Sequence, residues 1–264
     1  MKSSNLFWGT ILILAGGLFL LDSLGIIAVN VWDLLWPLFL IALGVWFLWG
    51  TLFRKEPAVE HARVPLENAR RARIILQHGA GRLDVHAGAE MGNLLEGDFG
   101  GGLNLNSQRN GDLLDVRLSI PAQVFPFGIG WGPGYTLNWS LGLTRDIPLS
   151  LDIEGGANES RLDLSELRVT DLRIRSGASS TTVTLPANAG QTRASIESGA
   201  ASVRLTVPPG VAARIRSRSG LSSITVDQAR FPRQGDIYQS PDYEAAANRV
   251  DIDLQSGVGS IDVR

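Results

Sequence analysis

The chain has 264 residues, with 24 Lys+Arg against 26 Asp+Glu and a formal net charge of -2, which leaves no excess of basic charge for a broad nucleic-acid-binding face. Cysteine is absent and only three histidines occur, His61, His78 and His86, so disulfides, thiolate zinc sites and a cysteine nucleophile are excluded. Five of the seven tryptophans, Trp8, Trp32, Trp36, Trp46 and Trp49, lie before residue 50, whereas most Lys and Arg lie after it, so two chemically different segments are joined.

Residues 6–21 and 34–53 carry no charge. A hydrocarbon core about 30 Å thick needs roughly 20 apolar residues in a helix. The pattern predicts a transmembrane hairpin within residues 1–54, with spans at about 5–24 and 32–53. Its tryptophans cluster toward the span ends, where indole rings prefer the headgroup region. Gly9 and Gly16, seven apart, share a helix face that admits a close partner, and Pro37 sits in the first turns of the second span. Lys2 precedes the first span, and Arg54 and Lys55 follow the second, while the connection 22–33 carries two acids and no base. The positive-inside rule then predicts a multi-pass protein with both termini, and the C-terminal domain, in the cytoplasm.

A polar linker is predicted at 55–66, around Pro57 and Pro65. From 67 to 264 the texture is period-two alternation, as in 72–77, 81–87, 113–120, 148–154 and 170–176, which marks β-strands. Asn110-Gly111 is the pair that favours a type I′ hairpin turn. A repeat of strand, Gly-centred corner and strand runs through 173–186, 195–208, 214–227 and 252–264, with looser copies at 78–85 and 154–167. The corner glycines Gly156, Gly177, Gly199 and Gly220 are spaced 21, 22 and 21 apart, and Gly257 marks a further corner. This period predicts a membrane-anchored all-β protein whose β-solenoid-like domain stacks one repeat on the next. Glycine would permit positive φ or close backbone approach at each corner, and Ser176, Ala178, Ser198, Ala200 and Ser219 would let corners stack. Arg173, Arg175, Arg204, Arg214, Arg216, Asp152, Asp163, Asp251 and Asp253 read as a solvated outward face that guards against edge aggregation.

Residues 124–141 (VFPFGIGWGPGYTLNWSL) break the charged alternation with glycines and aromatics. Two readings stand: a hairpin capping the stack, or an exposed contact with membrane or partner anchored by Phe125, Phe127, Trp131 and Tyr135. Residues 79–85 lack the tandem nonapeptides of a calcium β-roll, and 127–134 lack the setting and the Lys-Ser/Thr of a phosphate loop. No G-x-S-x-G elbow occurs and the histidines have no evident nucleophile, so neither an enzyme nor a cofactor or metal site is expected.

The apolar hairpin resembles the transmembrane module of LiaI/LiaF-type bacterial envelope-stress proteins. Residues 96–106 and 147–186 resemble the toast-rack β-domain associated with that family, and 256–264 is similar to the way these domains and related adhesin-like repeats end. The resemblance implies a bacterial inner-membrane protein that takes part in regulating the response to cell-wall-active antibiotics, with the lipid bilayer and a sensor kinase as partners. Fuller members carry four spans where two are predicted here. The competing expectation is a surface-displayed, adhesin-like or purely structural β-repeat domain. Exposed strands at the ends of the stack would be able to pair between chains into an oligomer.

Overall fold

The computed structural model describes residues 36–37, 39–41, 43–45, 59–121 and 137–264. The chain divides into two compact units, Met1–Lys55 and Glu56–Arg264. In the first, the described residues are helical and exposed, and Trp36 stacks on Phe39 with ring centroids 6.0 Å apart. Among the described residues no helix is long and apolar enough to cross a membrane. The predicted span 5–24 and the remainder of the span 32–53 lie outside the described residues.

In the second unit the alternation becomes strand. In chain order these are β1 (Val59–Pro65), β2 (Arg71–Ala87), β3 (Asn93–Gly100), β4 (Asn104–Asn110), β5 (Leu113–Ser119), β6 (Asn138–Leu143) and β7 (Leu149–Asp163). There follow β8 (Val169–Thr184), β9 (Gln191–Thr206), β10 (Ala212–Val226), β11 (Arg233–Gln234), β12 (Ile237–Gln239) and β13 (Arg249–Val263). Residues 59–65, predicted as linker, are β1 and pair antiparallel with β3, because their alternating side chains bury Val64 against the core. The Asn110 turn is a tight hairpin in which Asn110 faces Leu113, but of its two loop residues only Gly111 has positive φ. That is the pattern of a II′ turn rather than the I′ turn expected from Asn-Gly.

The long strands are each divided at the glycine corner. In β8 the inward side chains are Leu172 and Ile174 before Gly177, then Thr181 and Val183 after it, so the inward phase changes from even to odd. A corner that inserts one residue does this, because side-chain direction alternates with period two. Two limbs result. Before the corner the order is β4-β5-β2-β7-β8-β9-β13-β10-β12-β11, and after it β1-β3-β6-β2-β7-β8-β9-β13-β10. β2 and β7 to β10, with β13, run parallel and in register. Inward residues of both limbs form one buried cluster. Each fully buried Leu or Ile in it contributes roughly 1.5–3 kcal/mol.

The stack departs from chain order at one seam. The period predicts β10 beside β9, but β13 lies between them, and the corners run Gly79, Gly156, Gly177, Gly199, Gly257, Gly220. None of these six has positive φ. A Cβ on Gly177 would lie 3.0 Å from the Gly156 carbonyl oxygen, and one on Gly257 would lie 2.6 Å from that of Gly199. Close approach of neighbouring backbones, not a left-handed turn, is what requires glycine here.

Candidate functional site

A column of residues without side chains leaves a notch in the outer surface. An open groove of about 810 Å³ follows it across β7, β8, β9, β13 and β10. One wall is the row of side chains two residues before each corner glycine: Glu154, Arg175, Glu197, Gln255 and Arg218, aligned by the parallel register. Parallel in-register strands place equivalent positions side by side, so like charges there would repel. The row instead alternates acid and base over its first three members. Arg175 bonds Glu154 and lies 3.3 Å from Asp152, and Gln77 donates to Glu154 at 2.9 Å. The bond to Asp152, then the charges of Asp152 and Glu154, raise the Arg175 guanidinium above its ordinary range.

The corner serines Ser176, Ser198, Ser219 and Ser256 line the groove; Ser256 is buried and Ser219 is exposed. Ser179 donates to Ser176 and Ser222 donates to Ser256, each at 2.9 Å, and the Asn158 amide donates to Ser160 at 2.9 Å. At Ser176 and Ser256 the Ser of the Ser-Gly corner, read from sequence as a small spacer, therefore also makes a polar contact across the bend, whereas the Ser198 hydroxyl is buried without a partner among the described residues.

A second polar cluster holds the seam where β13 enters. The Tyr243 hydroxyl donates to Oδ2 of Asp251 at 2.6 Å, and Arg214 Nε donates to Oδ1 at 2.8 Å. The Arg214 guanidinium carbon lies 4.4 Å from the Tyr243 ring centroid, a cation–π contact. Burial, the bond to Asp251 and the carboxylate's charge push the Tyr243 hydroxyl up to about 12. Burial opposes ionisation of Asp251, but the bonds from Arg214 and Tyr243 hold its carboxyl below the ordinary value. Asp251, expected on a solvated face, is 8% exposed, because the segment between β12 and β13 folds Tyr243 over it. Arg216 and Asp253, by contrast, do stand on a solvated face, with their side chains 3.3 Å apart.

Of the sequence-predicted residues, Gly156, Gly177, Gly199, Gly220 and Gly257 are brought together as one column, of which Gly199, Gly257 and Gly220 line the groove. Phe125, Phe127, Trp131 and Tyr135 lie outside the described residues. The predicted insertion 124–141 includes core, however: Leu137 and Trp139 are buried, and Trp139 packs edge-on to Phe99 at 5.1 Å and donates Nε1–H to the Gly100 carbonyl. The Tyr243 clasp is not among the expectations from sequence. Its one signal is an aromatic in the polar stretch before the last repeat.

Comparison with known proteins agrees with this architecture. The LiaI-LiaF-like transmembrane region matches residues 6–48, and the N-terminal domain of toast_rack matches residues 53–206. β10 to β13 lie beyond the second match. Among solved structures, a "putative cell adhesion protein" from Clostridium sporogenes is 20% identical, with 78% of this chain and 98% of that chain covered at a TM-score of 0.71, which is a likeness of fold. A "putative adhesin" from Bacteroides fragilis is 9% identical over 80% of this chain and 100% of that one, with a TM-score of 0.31 that carries no argument. No curated protein matches. With more than half of its 264 residues matched, the chain belongs to the toast-rack family, its β-domain following a LiaI-LiaF-like transmembrane region.

Proposed function

We propose that this chain is a non-enzymatic protein of the bacterial inner membrane, a regulatory or scaffolding component of the response to cell-wall-active antibiotics that works through protein contacts. The observation that carries the reading is the succession of a LiaI-LiaF-like transmembrane region and a toast-rack domain on one chain. The open groove is in keeping with it: its charged wall is partly satisfied internally, and it is an exposed surface rather than an enclosed cavity. In this reading the N-terminal segment crosses the bilayer twice, both termini are cytoplasmic, and the β-domain meets other membrane or signalling proteins, a sensor kinase among them.

Two measurements test it. A deletion strain challenged with a wall-active antibiotic should show an altered transcriptional response, and an unchanged response would overturn the regulatory role. The chain has no cysteine, and Met91 is 98% exposed, so Met91→Cys offers a single probe. An impermeant thiol reagent should label it only after cells are lysed. Labelling in intact cells would place the β-domain outside and favour a surface-displayed, adhesin-like role.

A further inference from the structure

A strand at the edge of a sheet presents unpaired N–H and C=O groups, and proteins guard such edges with charge, proline, bulges or a covering segment. The first limb of β10 is covered, since Arg214–Arg216 pair with β12. Past Arg216, among the described residues, no strand lies on that side of β10, and the ten residues 217–226 form an open edge. Past the corner, the opposite edge of the sheet is β1, which carries Glu60, Arg63 and Pro65 and a register shift at Val64/Pro65. The β10 edge has none of these devices apart from one charge, Arg218. At its middle Leu221 is 83% exposed, and Val258, its register neighbour on β13, is 54% exposed.

We propose that the open edge of β10, residues 217–226 spanning the Gly220 corner, is a homodimer interface, on which a second copy of this chain lays its own β10 antiparallel about a two-fold axis at Leu221. Charge selects this arrangement. Parallel in-register pairing would set Arg218 against Arg218 of the other copy, whereas antiparallel pairing about Leu221 sets it opposite Ile224 and separates the two guanidinium-bearing residues by about 20 Å along the strand. That exceeds the roughly 8 Å Debye length of physiological salt. Pairing β10 with β1 of the next copy would place Pro65 in a ladder and would propagate without closing, whereas an isologous contact closes as a dimer. The two Leu221 side chains then cover each other and extend each copy's Val258 surface across the axis.

The full-length chain in detergent or nanodiscs gives the test, because it has no cysteine of its own. Directly opposed antiparallel residues lie about 4.5–5.5 Å apart at Cα, within disulfide reach. Leu221→Cys should convert most of the chain to a disulfide-linked dimer under mild oxidation, while Met91→Cys, equally exposed to oxidant, should not. Leu221→Lys should halve the protein mass measured by light scattering, with the far-UV strand signal unchanged. A single-chain mass for the unaltered protein, together with no cross-link in the Leu221→Cys variant, overturns the proposal. So does a dimer that Leu221→Lys leaves intact and Leu221→Cys does not cross-link, and so does a single chain whose β10 edge is occupied by a different protein.

Discussion

Arg214 donates from Nε to Oδ1 of Asp251 at 2.8 Å, and this bond crosses the seam where strand order departs from chain order. In a purely sequential stack the corner register would place Arg193 of β9 beside Arg214 of β10. With β13 inserted, Asp251 stands between them, in register with both. One carboxylate thus removes a like-charge neighbour pair and closes the clasp under Tyr243. Asp251→Asn should lower stability by about 3 kcal/mol, since it leaves the Arg214 guanidinium without its buried partner. The folded carboxyl titrates below its ordinary value, so its contribution is present above about pH 4 and is lost as pH falls through the folded value. Urea midpoints for the two proteins should therefore differ at pH 7 and converge in strong acid. Equal midpoints at pH 7 would show that the clasp holds nothing.

The glycine column makes a graded prediction. A methyl group at Gly257 would sit 2.6 Å from a backbone oxygen, and one at Gly177 would sit 3.0 Å from its neighbour's oxygen. In both cases the obstacle is main chain, which cannot swing aside. Gly257→Ala should cost about 2–3 kcal/mol and Gly177→Ala about 1 kcal/mol, within the usual range for overpacking. Thermal unfolding of the two variants would check the order. Equal, negligible losses would mean that the corners are looser than this spacing.

Much of this architecture is legible in the amino-acid sequence, and the reasons for the exceptions are physical. Period-two alternation locates β2, β5, β7 and β8, because one face of each is buried and register leaves no freedom there. The period of 21 or 22 residues locates the corner column. It does not reveal that β13 enters between β9 and β10, because every repeat presents nearly the same pairing edge and the choice rests on single charges such as Asp251. β1 is hidden by Pro57 and Pro65, which read as linker although Pro65 ends an edge strand, where a missing N–H is tolerated. The groove wall is visible as outward charge, but its pairing needs the register. The clasp cannot be read, since Tyr243 and Arg214 come together only after the chain has left the sheet and returned.

Trp139 separates core from the rest of the aromatic segment. It is 1% exposed, lies against Phe99 and His78, and belongs to a strand between β3 and β2. Trp139→Ala should cost about 3–5 kcal/mol, the usual range for emptying a large aromatic site. The paired change of Phe127 and Trp131 to Ser tests the two readings of the segment. Lost folding would make those aromatics a cap, whereas lost membrane or partner binding in a stable domain would make them a contact site.

His78 gives the domain a dependence on pH that one substitution should remove. It is fully buried between strands, its Nε2 donates to the Leu137 carbonyl at 2.9 Å, and its Nδ1 has no partner among the described residues. Burial lowers its pKa below the ordinary value of about 6.5, an effect only partly offset by the bond to Leu137. The neutral imidazole is therefore the folded form, and the unfolded chain takes up a proton first as pH falls. His78 costs no stability above about pH 6.5. Below that, stability should fall by up to about 1.4 kcal/mol per pH unit until the folded form is itself protonated. Gln at this position keeps an amide donor for Leu137 and does not titrate. His78→Gln should show a flatter dependence between pH 6.5 and 5 in denaturant titrations, even if its stability at pH 8 is lower. A slope in that window unchanged by the substitution would assign the acid sensitivity to other groups.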